Sequence, residues 1–175
     1  MIILGIESSC DDTAAAVCKD NKIINSIVQS QYIHSEYGGI VPEIASREHD
    51  SYIHYIVCQS LEKAHLQLKD IDAIAVTYGA GLFGALSVGL NYAKGLSIGL
   101  EIPYIGVNHL EGHLYSSFID FPKLEYPFIG LLVTGGHTQI WEVQKAGEYI
   151  LHSTTVDDAA GEAFDKGARI LGLGY

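Results

Sequence analysis

The chain has 175 residues, 48% hydrophobic and 18% charged, which is enough to build one ordinary domain or slightly more and too apolar for a disordered chain. A net charge of −11 and an isoelectric point near 5.0 argue against a broad basic surface of the kind that holds nucleic acid. Three cysteines, Cys10, Cys18 and Cys58, fit neither a disulfide framework nor a zinc ribbon, and point to a reduced, intracellular setting.

The opening "MIILGIESS" has no basic n-region and does not read as a signal peptide. "IILGIES" (2–8) reads as a strand, "SSCDDT" as a turn, and "AAAV" and "IINSIVQS" (23–30) as two more strands of a meander. Pro42 opens a helical pattern in which Ile53, Val57, Leu61, Ala64 and Leu68 recur at helical spacing. "IDAIAVTYG" (71–79) is strand-like. "FGALSVGLNYAKGLSIGL" (83–100) is a Gly- and Ala-rich helix suited to close packing on a sheet, and "PYIGV" (103–107) is a strand followed by another helix. The apolar stretch 78–93 is shorter than the roughly 20 residues of a spanning helix, and Lys94 ends it. The order βββ, α, β, α, β, α predicts a mixed α/β layer of three antiparallel strands with parallel additions.

After "FPKLEYP" the pattern restarts. Strands are expected over 128–136, 137–144 and 148–156, then a helix over 157–174 with Asp157 or Asp158 as N-cap and Gly172 or Gly174 as the stop. The expected organisation is a lobe over 1–122 and the beginning of a second over 123–175. A βββα start with no continuing strands reads as half a domain, so the sequence is expected to be the N-terminal part of a longer protein. A compact domain with a β-hairpin extension is the other reading.

Four stretches carry chemistry. In "VNHLEGH", His109 and His113 lie four apart on one helix face, with Asn108 as N-cap, so both imidazoles can reach one ion. A catalytic metal needs about three protein ligands, and on the residues alone two surface histidines are the better reading of the pair. Glu111 does not directly follow the first histidine, so the zincin protease arrangement is absent. In "LLVTGGHTQ" the paired glycines, Thr134 and His137 read either as a phosphate cradle or as a glycine hairpin turn. In "GIESSCDDT", Asp11 and Asp12 could hold a hydrated Mg²⁺ against phosphates or serve as turn caps, and Cys10 reads as a structural thiol. In "DDAAGEAFDKGAR", Asp165 and Lys166 sit inside the helix, facing a ribose or solvent.

Taken together, "GIESSCDDTA", "GGIVPEIASREH", "GAGLFGALSVGLNYAKGLS", "VNHLEGH", "VTGGHTQ" and "DDAAGEAFDKGAR" occur in the order of the TsaD (Gcp/YgjD) family, which the whole chain resembles. The resemblance implies an actin-like, sugar-kinase-like ATPase (ASKHA) fold with two ribonuclease-H-like lobes. It implies transfer of a threonylcarbamoyl group from threonylcarbamoyl-AMP to N6 of the adenosine 3′ of the anticodon, in tRNAs reading codons that start with A. By this likeness His109 and His113 are metal ligands for one iron or zinc per subunit, with a third ligand in the C-terminal lobe. Leu132, Val133, Thr134, Gly135, Gly136 and Asp165 match adenylate-binding positions, and Asp11 matches an acidic position facing the phosphates. The implied partners are tRNA, a paralogous TsaB-like subunit and a TsaE-like ATPase subunit, in the cytoplasm. The paralogue would meet the helices near 43–68 and 83–100, and an unfinished sheet edge in the second lobe would favour a homodimer. Ala80 stands where a proline is common and Thr134 where a serine is common. Alternatives are a carbamoyl-adenylate enzyme with another acceptor, a sugar kinase, or a non-catalytic paralogue, which generally has no such histidine pair.

Overall fold

The structure, a computed structural model, describes residues 1–173. The chain divides into two compact units, Met1–Glu111 and a second that begins at Gly112.

The first unit is a five-stranded sheet in the order β3-β2-β1-β4-β5. β1 (Ile2–Glu7), β2 (Asp12–Lys19) and β3 (Lys22–Ser30) form the antiparallel meander, with a bulge between Val17 and Cys18. β4 (Ala73–Gly79) runs parallel to β1, and β5 (Tyr104–Asn108) parallel to β4. The mixed sheet expected from the element order is thus present. α1 (Pro42–Lys63) and α2 (Phe83–Leu100) cross between strands. The period-2 alternation of β1 turns Leu4 and Ile6 into the core, where they meet Val17, Ile74 and Val76 from the sheet and Ile53, Ile56, Val57 and Leu61 from α1. α2 approaches closely because position 89 is glycine: a Cβ there would lie 2.3 Å from Ser8 Oγ.

In the second unit β6 (Phe128–Val133), β7 (Thr138–Lys145) and β8 (Glu148–Ser153) form an antiparallel sheet in that order. α3 (His109–Asp120) seats its buried Leu114 over Gly130, where a Cβ would meet the leucine at 2.6 Å. Ile129, Leu131 and Val133 of β6, with Ile140 of β7 and Ile150 of β8, stand exposed. The register sets Leu131 beside Ile140 and Glu142 beside Ile150.

α4 (Ala160–Ile170) is shorter than the expected 157–174. Its N-cap is Ala159, not Asp157 or Asp158, and the first turn is satisfied from β7: Thr138 Oγ1 accepts the Ala160 N–H at 2.8 Å. Asp158 instead pairs with Lys166 at 2.6 Å. The stop is Gly172, at φ 68°, where the Gly172 and Leu173 amides close back on the carbonyls of Arg169 and Ala168. Gly174 lies outside the described residues. Two short 3-10 helices, Tyr32–Tyr37 and Leu68–Asp70, were not expected from the sequence. No helix among the described residues is long and apolar enough to cross a membrane.

Candidate functional site

In an open parallel sheet, chemistry collects at the carboxyl ends of the strands. In the first unit three such ends supply interacting side chains: Glu7 closes β1, Thr77 lies near the end of β4, and His109 follows β5. Thr77 donates its hydroxyl to Glu7 Oε2 at 2.5 Å, and the Ser9 amide donates to Glu7 Oε1. His109 Nδ1 lies 3.2 Å from Glu7 Oε2 and 3.2 Å from Ser9 Oγ. Burial alone would raise the Glu7 carboxyl, but hydrogen bonds from His109, Ser9 and Thr77 outweigh it and hold the group at about 2. Glu7 is therefore an anion at neutral pH, and as an acceptor it favours the tautomer of His109 that carries its proton on Nδ1.

That tautomer leaves the lone pair on Nε2, the arrangement of metal-binding histidines whose other ring nitrogen donates to a carboxylate. The donor chemistry at His109 therefore fits a transition metal. His113 follows one turn along α3, exposed, and its carbonyl accepts the Ser116 hydroxyl. Asn108 acts as the expected cap, its Oδ1 accepting the Leu110 N–H at 2.9 Å. No group of three or more His, Cys, Asp or Glu suited to a metal occurs among the described residues.

Asp11 sits in the β1–β2 turn, half-buried, and its carbonyl accepts the Gln31 amide at 2.9 Å. Cys10 beside it is no nucleophile: burial and then the charge of Asp11 push its thiol up to about 12.

In the second unit the β6–β7 connection is a hairpin. The Thr134 amide donates to the His137 carbonyl at 2.8 Å, and the His137 amide to Thr134 Oγ1 at 3.0 Å. Gly135 and Gly136 have no left-handed φ, and a Cβ on either would touch nothing, so the hairpin itself does not demand glycine there. Gly161, in the first turn of α4, is different. A Cβ there would fall 2.7 Å from the Thr134 carbonyl oxygen and 2.8 Å from Gly135 Cα. The helix start therefore rests directly on the Thr-Gly-Gly backbone, with the Gly161 amide 3.3 Å from the Thr134 oxygen. Leu132 is buried, Val133 exposed, and Asp165 exposed on α4.

Sequence reasoning did not single out Glu7, Thr77, Thr138 or Gly161. An acidic residue closing an apolar strand was the signal available for Glu7.

The model of the family described as TsaD: tRNA N6-adenosine threonylcarbamoyltransferase matches residues 22–175. The chain belongs to the TsaD family. A TsaD relative named tRNA N6-adenosine threonylcarbamoyltransferase, from Thermosipho melanesiensis, is 54% identical over all of this chain and 54% of its own length. One from Clostridium perfringens is 56% identical over 99% of this chain and 52% of its own. The chain thus spans about half the length of the curated TsaD relatives it matches. Among solved structures, YeaZ from Pseudomonas aeruginosa has a TM-score of 0.58 at 17% identity, covering 89% of this chain and 68% of that one. The Acidaminococcus fermentans (R)-2-hydroxyglutaryl-CoA dehydratase component A has a TM-score of 0.57 at 18% identity, over 98% and 54%. These likenesses show the actin-like, sugar-kinase-like fold class that the TsaD resemblance implies.

Proposed function

We propose that this chain is the N-terminal half of an enzyme that transfers the threonylcarbamoyl group of threonylcarbamoyl-AMP to N6 of the adenosine 3′ of the anticodon in tRNAs reading ANN codons. Residues 1–122 form its N-terminal ribonuclease-H-like lobe and 123–175 begin the second. The observation that carries this reading is the Glu7–His109 pair, an ionised carboxylate on Nδ1 of the first of two histidines one helical turn apart.

His109 and His113 would hold one iron or zinc. When bound, that metal supplies Lewis acidity that polarises donor oxygens and neutralises charge as AMP departs. The rest of the chemistry falls to the chain. An exocyclic adenine amine is a weak nucleophile, so rate comes from positioning and from the electrophile. Leu132, Val133, Thr134, Gly135, Gly136 and Asp165 would bind the adenylate, with the two glycines letting backbone amides approach the phosphate and the start of α4 adding its dipole. Asp11 would face the phosphate region as a catalytic carboxylate, with magnesium as a further option there. Attack on the carbamoyl carbon breaks the anhydride bond, AMP leaves, and the amine loses a proton, with no covalent enzyme intermediate.

The acidity of this chain supports a basic tRNA-binding surface supplied by the rest of the protein or by partners. The partners we assign are a paralogous TsaB-like subunit and a TsaE-like ATPase, in the cytoplasm; a homodimer is the alternative assembly. The test is the full-length protein with metal, donor, tRNA and partners, read by mass spectrometry of the nucleosides. Wild type should yield N6-threonylcarbamoyladenosine, and His109→Ala or His113→Ala should lower the yield by about a hundredfold or more. Product formation indifferent to both substitutions would refute the assignment.

A further inference from the structure

The stretch "GGIVPEIASREH" (38–49) takes no part in the chemistry above, yet it delivers a histidine that is 0% exposed to the underside of the Asp11 turn. His49 Nε2 lies 3.1 Å from the Cys10 carbonyl oxygen. A carbonyl can only accept, so Nε2 carries the proton. Nδ1 then bears the lone pair, 2.7 Å from Thr13 Oγ1, which donates to it. One neutral tautomer satisfies both contacts, and burial lowers the pKa of His49, which keeps it neutral.

The turn is tied at three successive carbonyls by three different elements. Ser9 accepts the Leu82 amide at the start of α2 (2.8 Å), Cys10 accepts His49 of α1, and Asp11 accepts the Gln31 amide (2.9 Å). Gln31 is itself held: its Nε2 donates to the Ala45 carbonyl at 3.2 Å, and its Oε1 accepts from the buried His34 at 2.9 Å. Of the three ties on the turn, only His49 is a side chain. An apolar residue could fill its volume but would leave the Cys10 carbonyl unpaired. On the far side of the turn, the Ser9 hydroxyl meets His109.

We propose that His49 is a positioning residue, a buried strut that fixes the Ser9–Asp12 turn so that Asp11 and the Ser9–His109 contact keep their places. Its effect on turnover rests on the transferase reading; its hold on the turn does not.

The test is alkylation of the full-length protein by iodoacetamide, mapped by peptide mass spectrometry at Cys10, Cys18 and Cys58, for wild type, His49→Asn and His49→Gln. Glutamine places an amide N–H near the Nε2 position and can still reach the Cys10 carbonyl; asparagine cannot. Cys10 should react slowly in wild type and in His49→Gln, and about tenfold or more faster in His49→Asn, with Cys18 in β2 unchanged. In the tRNA assay His49→Asn should lower kcat by about tenfold with the tRNA KM unchanged, and His49→Gln should restore it. Two outcomes overturn the proposal: a Cys10 rate indifferent to His49→Asn, or Cys10 and Cys18 rates rising together, which is general loosening. A wild type without product would sink the transferase reading while the labelling still decides the role of His49.

Discussion

Replacing Gly89 with alanine should destabilise the first unit through one identifiable atom. The new Cβ would lie 2.3 Å from Ser8 Oγ and 3.3 Å from Ser8 Cβ. Ser8 is 1% exposed, and its hydroxyl donates to the Ala85 carbonyl at 2.9 Å. Relief by rotating Ser8 breaks that bond and buries an unpaired hydroxyl, at about 1–3 kcal/mol. Relief by moving α2 overpacks the core, again at about 1–3 kcal/mol. Alanine returns about 1 kcal/mol of helix propensity. The net loss is about 1 kcal/mol, which moves a urea midpoint by about 0.5 M at a slope of about 2 kcal/mol/M. In a Ser8→Ala background the offending oxygen is gone and only the 3.3 Å contact to the residue 8 Cβ and a 3.8 Å contact to Ile6 remain, so the same Gly89→Ala change should be about neutral. Urea unfolding of the four proteins of this cycle measures the coupling. Equal costs in the two backgrounds would show that the Ser8 hydroxyl is not what position 89 accommodates, and the reasoning would fail.

Glu7 makes a pH-dependent contribution. Its folded value of about 2 lies below the ordinary 4.5, so the stabilisation is complete above about pH 4.5 and is lost as the pH falls towards 2. The side chain is 32% exposed, so solvent screening trims the contribution to about 2 kcal/mol. Urea midpoints from pH 5.5 down to 3 should fall more steeply for wild type than for Glu7→Gln; parallel curves would contradict the assignment. Gly161→Ala should push α4 off the Thr134–Gly135 backbone, since neither contact is a movable side-chain tip. A cost of about 1–2 kcal/mol and weaker binding of AMP by isothermal titration are expected, and unchanged values of both would refute the close approach.

The five-stranded sheet was legible because β1, β2 and β4 carry near-continuous short apolar runs and because α2 begins and ends where its composition changes, at Phe83 and Leu100. The Asn108 cap was legible because capping is local. The start of α4 differs from the expected one for the opposite reason. Asp157 and Asp158 are strong local cap signals, but Thr138, 22 residues earlier, takes the first amide and Lys166 takes Asp158. Glu7 is not legible in the sequence because its partners are Thr77 and His109, 70 and 102 residues away. Only the fold brings those strand ends together. His49 stands out in the sequence only as the last residue of "GGIVPEIASREH", yet it is one of the most deeply buried side chains of the first unit, because its partners Cys10 and Thr13 are 39 and 36 residues away.

The oily side of the β6–β8 sheet has a practical side. Ile129, Leu131, Val133, Ile140 and Ile150 offer water a run of aliphatic groups, with Glu142 among them as the acidic interruption. Anyone concentrating this polypeptide should see light scattering that grows with protein concentration and eases with mild detergent. Exchanging Leu131 for glutamate should lower that scattering.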